Sequence, residues 1–164
     1  MITDKPELEK FLQGLIAKIA GKTCIWHNQN APRPQKPYLC IQHISSNHVG
    51  MSEIHGPVAD DAEISAVVKY GYQLDYYGAN AVDELQKIER RFSFPSIVDA
   101  CYAEGVSISE TAYGEEDARL LDNLTYEERA FIEIAATITV TELDKTYSIE
   151  TVDWKQIEDK ENEQ

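Results

Sequence analysis

The stretch Arg129-Ala130-Phe131-Ile132-Glu133-Ile134-Ala135-Ala136-Thr137-Ile138-Thr139-Val140-Thr141 carries the clearest alternation in the chain. Ile132, Ile134, Ala136, Ile138 and Val140 share one parity, and Glu133, Ala135, Thr137, Thr139 and Thr141 share the other. Successive side chains of a strand point to opposite faces, so the pattern predicts a long strand with one buried face. Residues 63–77 repeat it. Ile64, Val68, Tyr70, Tyr72, Leu74 and Tyr76 lie opposite Ser65, Lys69, Gln73 and Asp75. Strands with one apolar face need a cover, and the rest of the chain supplies it.

Residues 3–20 place Leu8, Phe11, Leu12, Leu15, Ile16 and Ile19 at three- and four-residue spacing, the stripe of an amphipathic helix. Thr3 or Asp4 suits its start and Gly21 its end. The stripe must be buried in the subunit's own core or against a neighbour. A second helix is expected over residues 81–92 behind an Asn80 cap, and a short third one from Pro95 to Ala103, closed by Gly105. Between them and around them, Cys24-Ile25-Trp26, residues 38–44 and residues 106–112 read as further strands. Residues 45–62 read as a long loop or hairpin tip. Residues 110–128 hold seven acids against Arg119 and read as an exposed loop. Asp144-Lys145 reads as a turn into a last strand over residues 146–152. The order is α+β: a mainly antiparallel sheet with helices flanking one face. Residues 1–152 are expected to form one domain, with 153–164 an acidic tail.

Composition limits what such a domain can do. The 164 residues have 15 Lys+Arg against 29 Asp+Glu, a net charge of −14. An extended phosphate-binding surface would need clustered bases, and Arg90-Arg91 is the only adjacent arginine pair. No run approaches the ~18 apolar residues of a membrane span, and the broken apolar cluster near the start does not suit a signal peptide. Cys24, Cys40 and Cys101 match no CxxC spacing and read as reduced, buried thiols.

No constellation argues for catalysis. His43, His48 and His55 fall at spacings that match no metal motif, and Cys24 with His27 does no better. The carboxylate pairs Asp60-Asp61, Glu115-Glu116-Asp117 and Glu127-Glu128 lie in polar runs, where nothing desolvates one partner. Neither catalytic nor metal residues are assigned, and no cofactor is expected. Tyr70, Tyr72 and Tyr76 suit core or interface packing better than a stacking platform for nucleic acid, and they are candidates for a subunit interface.

One segment is more specific. The run Ile25-Trp26-His27-Asn28-Gln29-Asn30-Ala31-Pro32-Arg33-Pro34-Gln35-Lys36-Pro37-Tyr38, placed before a strand, resembles the start of a tailed-phage family. These are the neck or tail terminator proteins, also called tail completion or head–tail joining proteins. The resemblance continues through Asp75-Tyr76-Tyr77-Gly78, with Ala79 and Ala81 opening a helix, and resumes at Tyr126-Glu127-Glu128-Arg129-Ala130. Asn28, Gln29, Pro32, Arg33, Pro34, Pro37, Tyr38, Gly78 and Arg129 carry it. It implies a structural, non-enzymatic virion protein of the tail and neck. The subunit would assemble into a homohexameric ring that ends the tail tube and meets the head–tail connector. Its implied partners are other copies of itself, tail tube or sheath proteins and connector proteins. DNA would pass through without specific binding, and no membrane is involved. The apolar helix stripe, the tyrosine strand and the proline loop are expected to supply the ring contacts. Glu115, Glu116 and Asp117 are candidates for the lumen or a docking rim. An acidic protein-binding adaptor or a DNA mimic is the alternative.

Overall fold

The computed structural model describes residues 1–28, 30, 32–55, 62–110, 116–117, 120–122 and 125–144. They cluster into two compact units. The larger comprises residues 1–51 and 66–140. Within the smaller, Ser65 and Thr141 share a side-chain hydrogen bond of 3.2 Å.

Helix α1 (Lys5–Ala20) starts where Asp4 accepts a hydrogen bond from the Glu7 N–H at 2.8 Å, and ends at Gly21 in the left-handed conformation. Leu8, Leu12, Leu15, Ile16 and Ile19 are buried in the subunit's own core. The α1 stripe is thereby removed from the surfaces available to a neighbour. Helix α2 (Ala81–Phe92) buries Ala81, Leu85 and Ile88, while α3 (Pro95–Ala103) buries Cys101 alone. Arg91 donates a side-chain hydrogen bond to the Ile19 carbonyl and so ties α2 to the end of α1.

Strands β1 (Thr23–Trp26), β2 (Tyr38–His55), β3 (Ala62–Tyr77), β4 (Ser107–Glu110), β5 (Glu116–Asp117) and β8 (Arg129–Asp144) form a mostly antiparallel sheet. Its order is β1-β2-β3-β8-β4, with β5 also on β8. The β1–β2 pair is parallel, with Thr23 opposite Tyr38 and Trp26 opposite Ile41. In β8, Ile132, Ile134, Ala136 and Ile138 are buried as the alternation requires. They meet Leu39 and Ile41 of β2, Tyr70, Tyr72, Leu74 and Tyr76 of β3, and the helices in one core.

Two expectations need correction. Residues 45–55 are not a loop but the continuation of β2. From Ser46 to Ile54 every residue is exposed, so no face is buried and no alternation appears in the sequence. The acidic stretch after Glu110 is not a plain loop either. Glu116 and Asp117 pair with Phe131 and Ala130 of β8, and β6 (Leu120–Asp122) pairs with β7 (Thr125–Glu127) in a small ladder of its own. Glu115, the expected strand over residues 146–152 and the acidic tail over residues 153–164 lie outside the described residues.

Candidate functional site

A parallel strand pair cannot be closed by a tight turn, so the chain must travel back from the end of β1 to the start of β2. Parallel pairs usually return through a helix. Here residues 27–37 do so, and their prolines remove backbone donors that helix or sheet would need. Something else must hold this segment in place.

That holding point is Tyr77, at the end of β3. The Tyr38 ring stacks on it at 4.8 Å between centroids, 11° from parallel. The guanidinium of Arg33, from the proline segment, lies 5.9 Å from the ring centroid, and that of Arg129, at the start of β8, lies 5.3 Å away. Tyr38, Cys40 and Tyr77 form a second, smaller apolar cluster, with Ile25 packed against it. Strand alternation puts this cluster on the sheet face opposite the main core. Cation–π contacts of this kind contribute ~0.5–1 kcal/mol where exposed and more where water is excluded.

Beside Tyr77 sits a buried charge. Asp75 is fully buried, and its Oδ1 accepts from Arg129 Nη2 at 2.8 Å, Arg129 Nε at 3.2 Å and Gln73 Nε2 at 3.0 Å. Its Oδ2 is buried without a hydrogen-bond partner. Burial opposes the Arg129 charge, but the hydrogen bonds and charge of Asp75 hold the guanidinium above its ordinary pKa. Burial also raises the Tyr77 hydroxyl, with the Asp75 charge acting in the same direction.

Gly78 completes the arrangement. At φ +150°, a Cβ on Gly78 would stand 2.9 Å from Pro37 Cβ and 3.3 Å from Pro37 Cα, so only glycine lets the loop close here. The Gly78 N–H donates to the Glu128 carbonyl at 3.1 Å, and the Asn80 N–H donates to Glu128 Oε2 at 2.6 Å. Asn80 sits at the α2 N-cap in a left-handed conformation, but its side chain makes no capping bond; the Glu128 carboxylate serves the turn instead.

Of the residues singled out in the sequence, Arg33, Pro37, Tyr38, Gly78 and Arg129 therefore converge on one junction. Pro32 and Pro37 are exposed and Pro34 is half-buried; Gln29 lies outside the described residues. Tyr70, Tyr72 and Tyr76 go elsewhere. They are 8%, 0% and 2% exposed within the single chain, so as interface candidates they are corrected to core residues. Their alternation with leucine reflects the subunit's own packing. His43 hydrogen-bonds Ser46 Oγ at 2.9 Å and meets the Tyr72 ring at 5.5 Å. Among the described residues no three His, Cys, Asp or Glu side chains are grouped to hold a metal ion. Among them, too, no helix is long and apolar enough to cross a membrane.

Sequence reasoning missed Asp75 and Glu128. Asp75 fell on the parity that carries Lys69 and Gln73, and nothing local distinguishes it from a solvated carboxylate. Its partner is 54 residues away. The thiols are poor nucleophiles: burial, and then the neighbouring Asp75 charge, push Cys40 to about 11, and burial pushes Cys24 to about 12.

These features define a class. This is an α+β protein whose distinctive residues fix a stiff segment on a sheet. A family model for phage neck terminator proteins matches residues 6–163. The chain belongs to the phage neck terminator protein family, whose place is among the tail and neck proteins of the virion. No curated protein matches it.

Proposed function

We propose that the protein is the subunit of a closed homohexameric ring that ends the tail tube and presents a surface to the head–tail connector. The observation that carries this reading is the family match over nearly the whole chain. The exposed proline segment held on Tyr77 supports it, because stiff, low-entropy segments are suited to recognition. In the ring, DNA passes through the bore without specific binding. The acidic balance serves that passage, since like charge repels the phosphate backbone and keeps it sliding. Glu115, Glu116 and Asp117 face the lumen or a docking rim.

Electron microscopy of the purified protein, alone and with tail tubes, tests the reading. Rings free in solution or seated on tube ends are the expected result. A strictly monomeric protein that also fails to bind tubes refutes it. In the ring, converting Glu115, Glu116 and Asp117 to Gln, Gln and Asn should leave assembly intact and raise non-specific DNA retention. Unchanged DNA retention at low salt removes these three residues from the bore.

A further inference from the structure

With the α1 stripe and the β3 tyrosines taken up by the core, the ring reading needs a contact from elsewhere. The outward side of α1 offers one half of it. Lys10, Gly14 and Lys18 recur at four-residue spacing, so they share one face of the helix, and all three are exposed. They run along a slot of about 680 Å³ that Phe11, Leu15 and Ala100 also line.

Gly14 runs against the rules of helix formation. Glycine in a helix interior is destabilising relative to alanine, yet a Cβ at this position would meet nothing within 4 Å. No packing among the described residues needs the missing side chain; the room it leaves faces outward. The two lysines are equally unengaged. Among the described residues neither makes an ion pair or a hydrogen bond, although the chain holds 29 acids against 15 bases. Two carboxylates also border the slot. Glu104 is occupied by the Met1 ammonium at 3.3 Å, and Glu7 lies in the first turn of the helix, at the far end from Lys18. Lys10, Lys18 and the Met1 ammonium thus outweigh them, most clearly toward Lys18.

Such a slot suits a segment with an apolar side chain between two acids spaced as the lysines are. Residues 153–164 have that pattern: Asp153, Ile157 and Glu161 recur at four-residue spacing, with Trp154 next to the first. The whole stretch carries five acids against two bases. Eight residues of helix advance about 12 Å, so helical acids at 153 and 161 match lysines at 10 and 18 while Ile157 falls opposite Gly14.

Resting on the ring reading above, we infer that the Lys10–Lys18 slot of α1 receives the Asp153–Glu161 segment of a second copy of this chain. The segment docks as a helix, with Asp153 and Glu161 at the two lysines, Ile157 over Gly14 and Trp154 against the apolar lining. The contact is heterologous, slot on one subunit and segment on the next, and its repetition closes a ring when the rotation permits.

Complementary charge reversal in the full chain tests the contact. One variant carries Lys10→Glu and Lys18→Glu; the other carries Asp153→Lys and Glu161→Lys. Each alone should need about tenfold more protein to assemble, as two exposed attractions become repulsions. An equimolar mixture should recover rings of alternating subunits, read by electron microscopy and sedimentation. Neither a misfolded variant nor a segment docked on its own subunit could give that recovery. A third variant, Gly14→Gln, fills the seat of Ile157. It should impair assembly without lowering the melting temperature, because the space is open and glutamine is the better helix former. Circular dichroism confirms the fold of each variant. Rings formed equally well by wild type and all three variants overturn this contact and leave the ring reading standing. Loss of assembly without recovery on mixing also overturns it. Variants that form rings but no longer bind tail tubes would give the slot to a tail protein instead. A wild type that never assembles, even on tubes, overturns the ring reading and this contact together.

Discussion

Replacing Arg129 with Met should be among the most damaging single changes in this protein. Asp75 is fully buried, while the Arg129 side chain is 20% exposed. The substitution keeps most of the apolar stem but strands a carboxylate in the interior with only Gln73 to donate to it. Breaking a buried pair in this way costs ~3–5 kcal/mol. For a chain of this size, each kcal/mol lowers the melting temperature by ~2–4 °C, giving a fall of roughly 6–20 °C. The reverse change, Asp75→Asn, should cost less, because Arg129 keeps its access to water. The double variant Asp75→Leu, Arg129→Met should return close to wild type, since apolar replacement of a whole buried pair is often neutral. Urea unfolding in dilute solution, followed by far-UV circular dichroism, gives the three free energies. A cost below ~1 kcal/mol for Arg129→Met would mean that water reaches the carboxylate. A double variant as unstable as the single one would trace the loss to the guanidinium's contact with the Tyr77 ring and not to the pairing with Asp75.

Gly78→Ala should destabilise the subunit by ~1–3 kcal/mol, through positive φ and the 2.9 Å approach to Pro37, and should speed proteolysis within residues 32–37. Hydrogen bonds from Lys22 and then Lys87 hold the Glu84 carboxyl down from 4.5 to about 2. That stabilisation is present above pH ~4.5 and is lost as the pH falls toward about 2, so a Glu84→Gln variant should show a shallower decline of melting temperature over this window. Cys24, Cys40 and Cys101 are buried with raised pKa values and should react with iodoacetamide at neutral pH only after denaturation, as mass spectrometry can show. Rapid labelling of the folded protein would contradict their burial.

The elements legible in the sequence were those whose burial follows a period. The stripe of α1, the helix over residues 81–92 and the alternation of β8 each repeat an apolar residue at the spacing that their backbone geometry demands. The exposed half of β2 left no such trace, because a strand with both faces in water has no reason to alternate. The candidate site was half legible. Arg33, Pro37, Tyr38, Gly78 and Arg129 were marked by their resemblance to a family, but their convergence on Tyr77 depends on strand order, which no local pattern encodes. Asp75 shows the limit most clearly. Alternation assigns it to the solvated side, and only its pairing with an arginine from a neighbouring strand makes its burial tolerable. The tyrosines erred in the other direction: half-polar rings on a strand suggest a wet interface, yet α1 and α2 cover them.

The parallel pairing of β1 with β2 has a mechanical consequence. The proline segment leaves β1 at Trp26 and enters β2 at Tyr38, and the register sets these residues at opposite ends of the pair. A pull on the segment therefore drags β1 from one end and β2 from the other. The load is thus divided between the two ends of the ladder and does not fall on one terminal pair of bonds. A hairpin pulled at its turn would be loaded at one end, and its bonds would break in succession. The attachment of the segment is therefore spread over both ends of the pair and does not hang on a single turn.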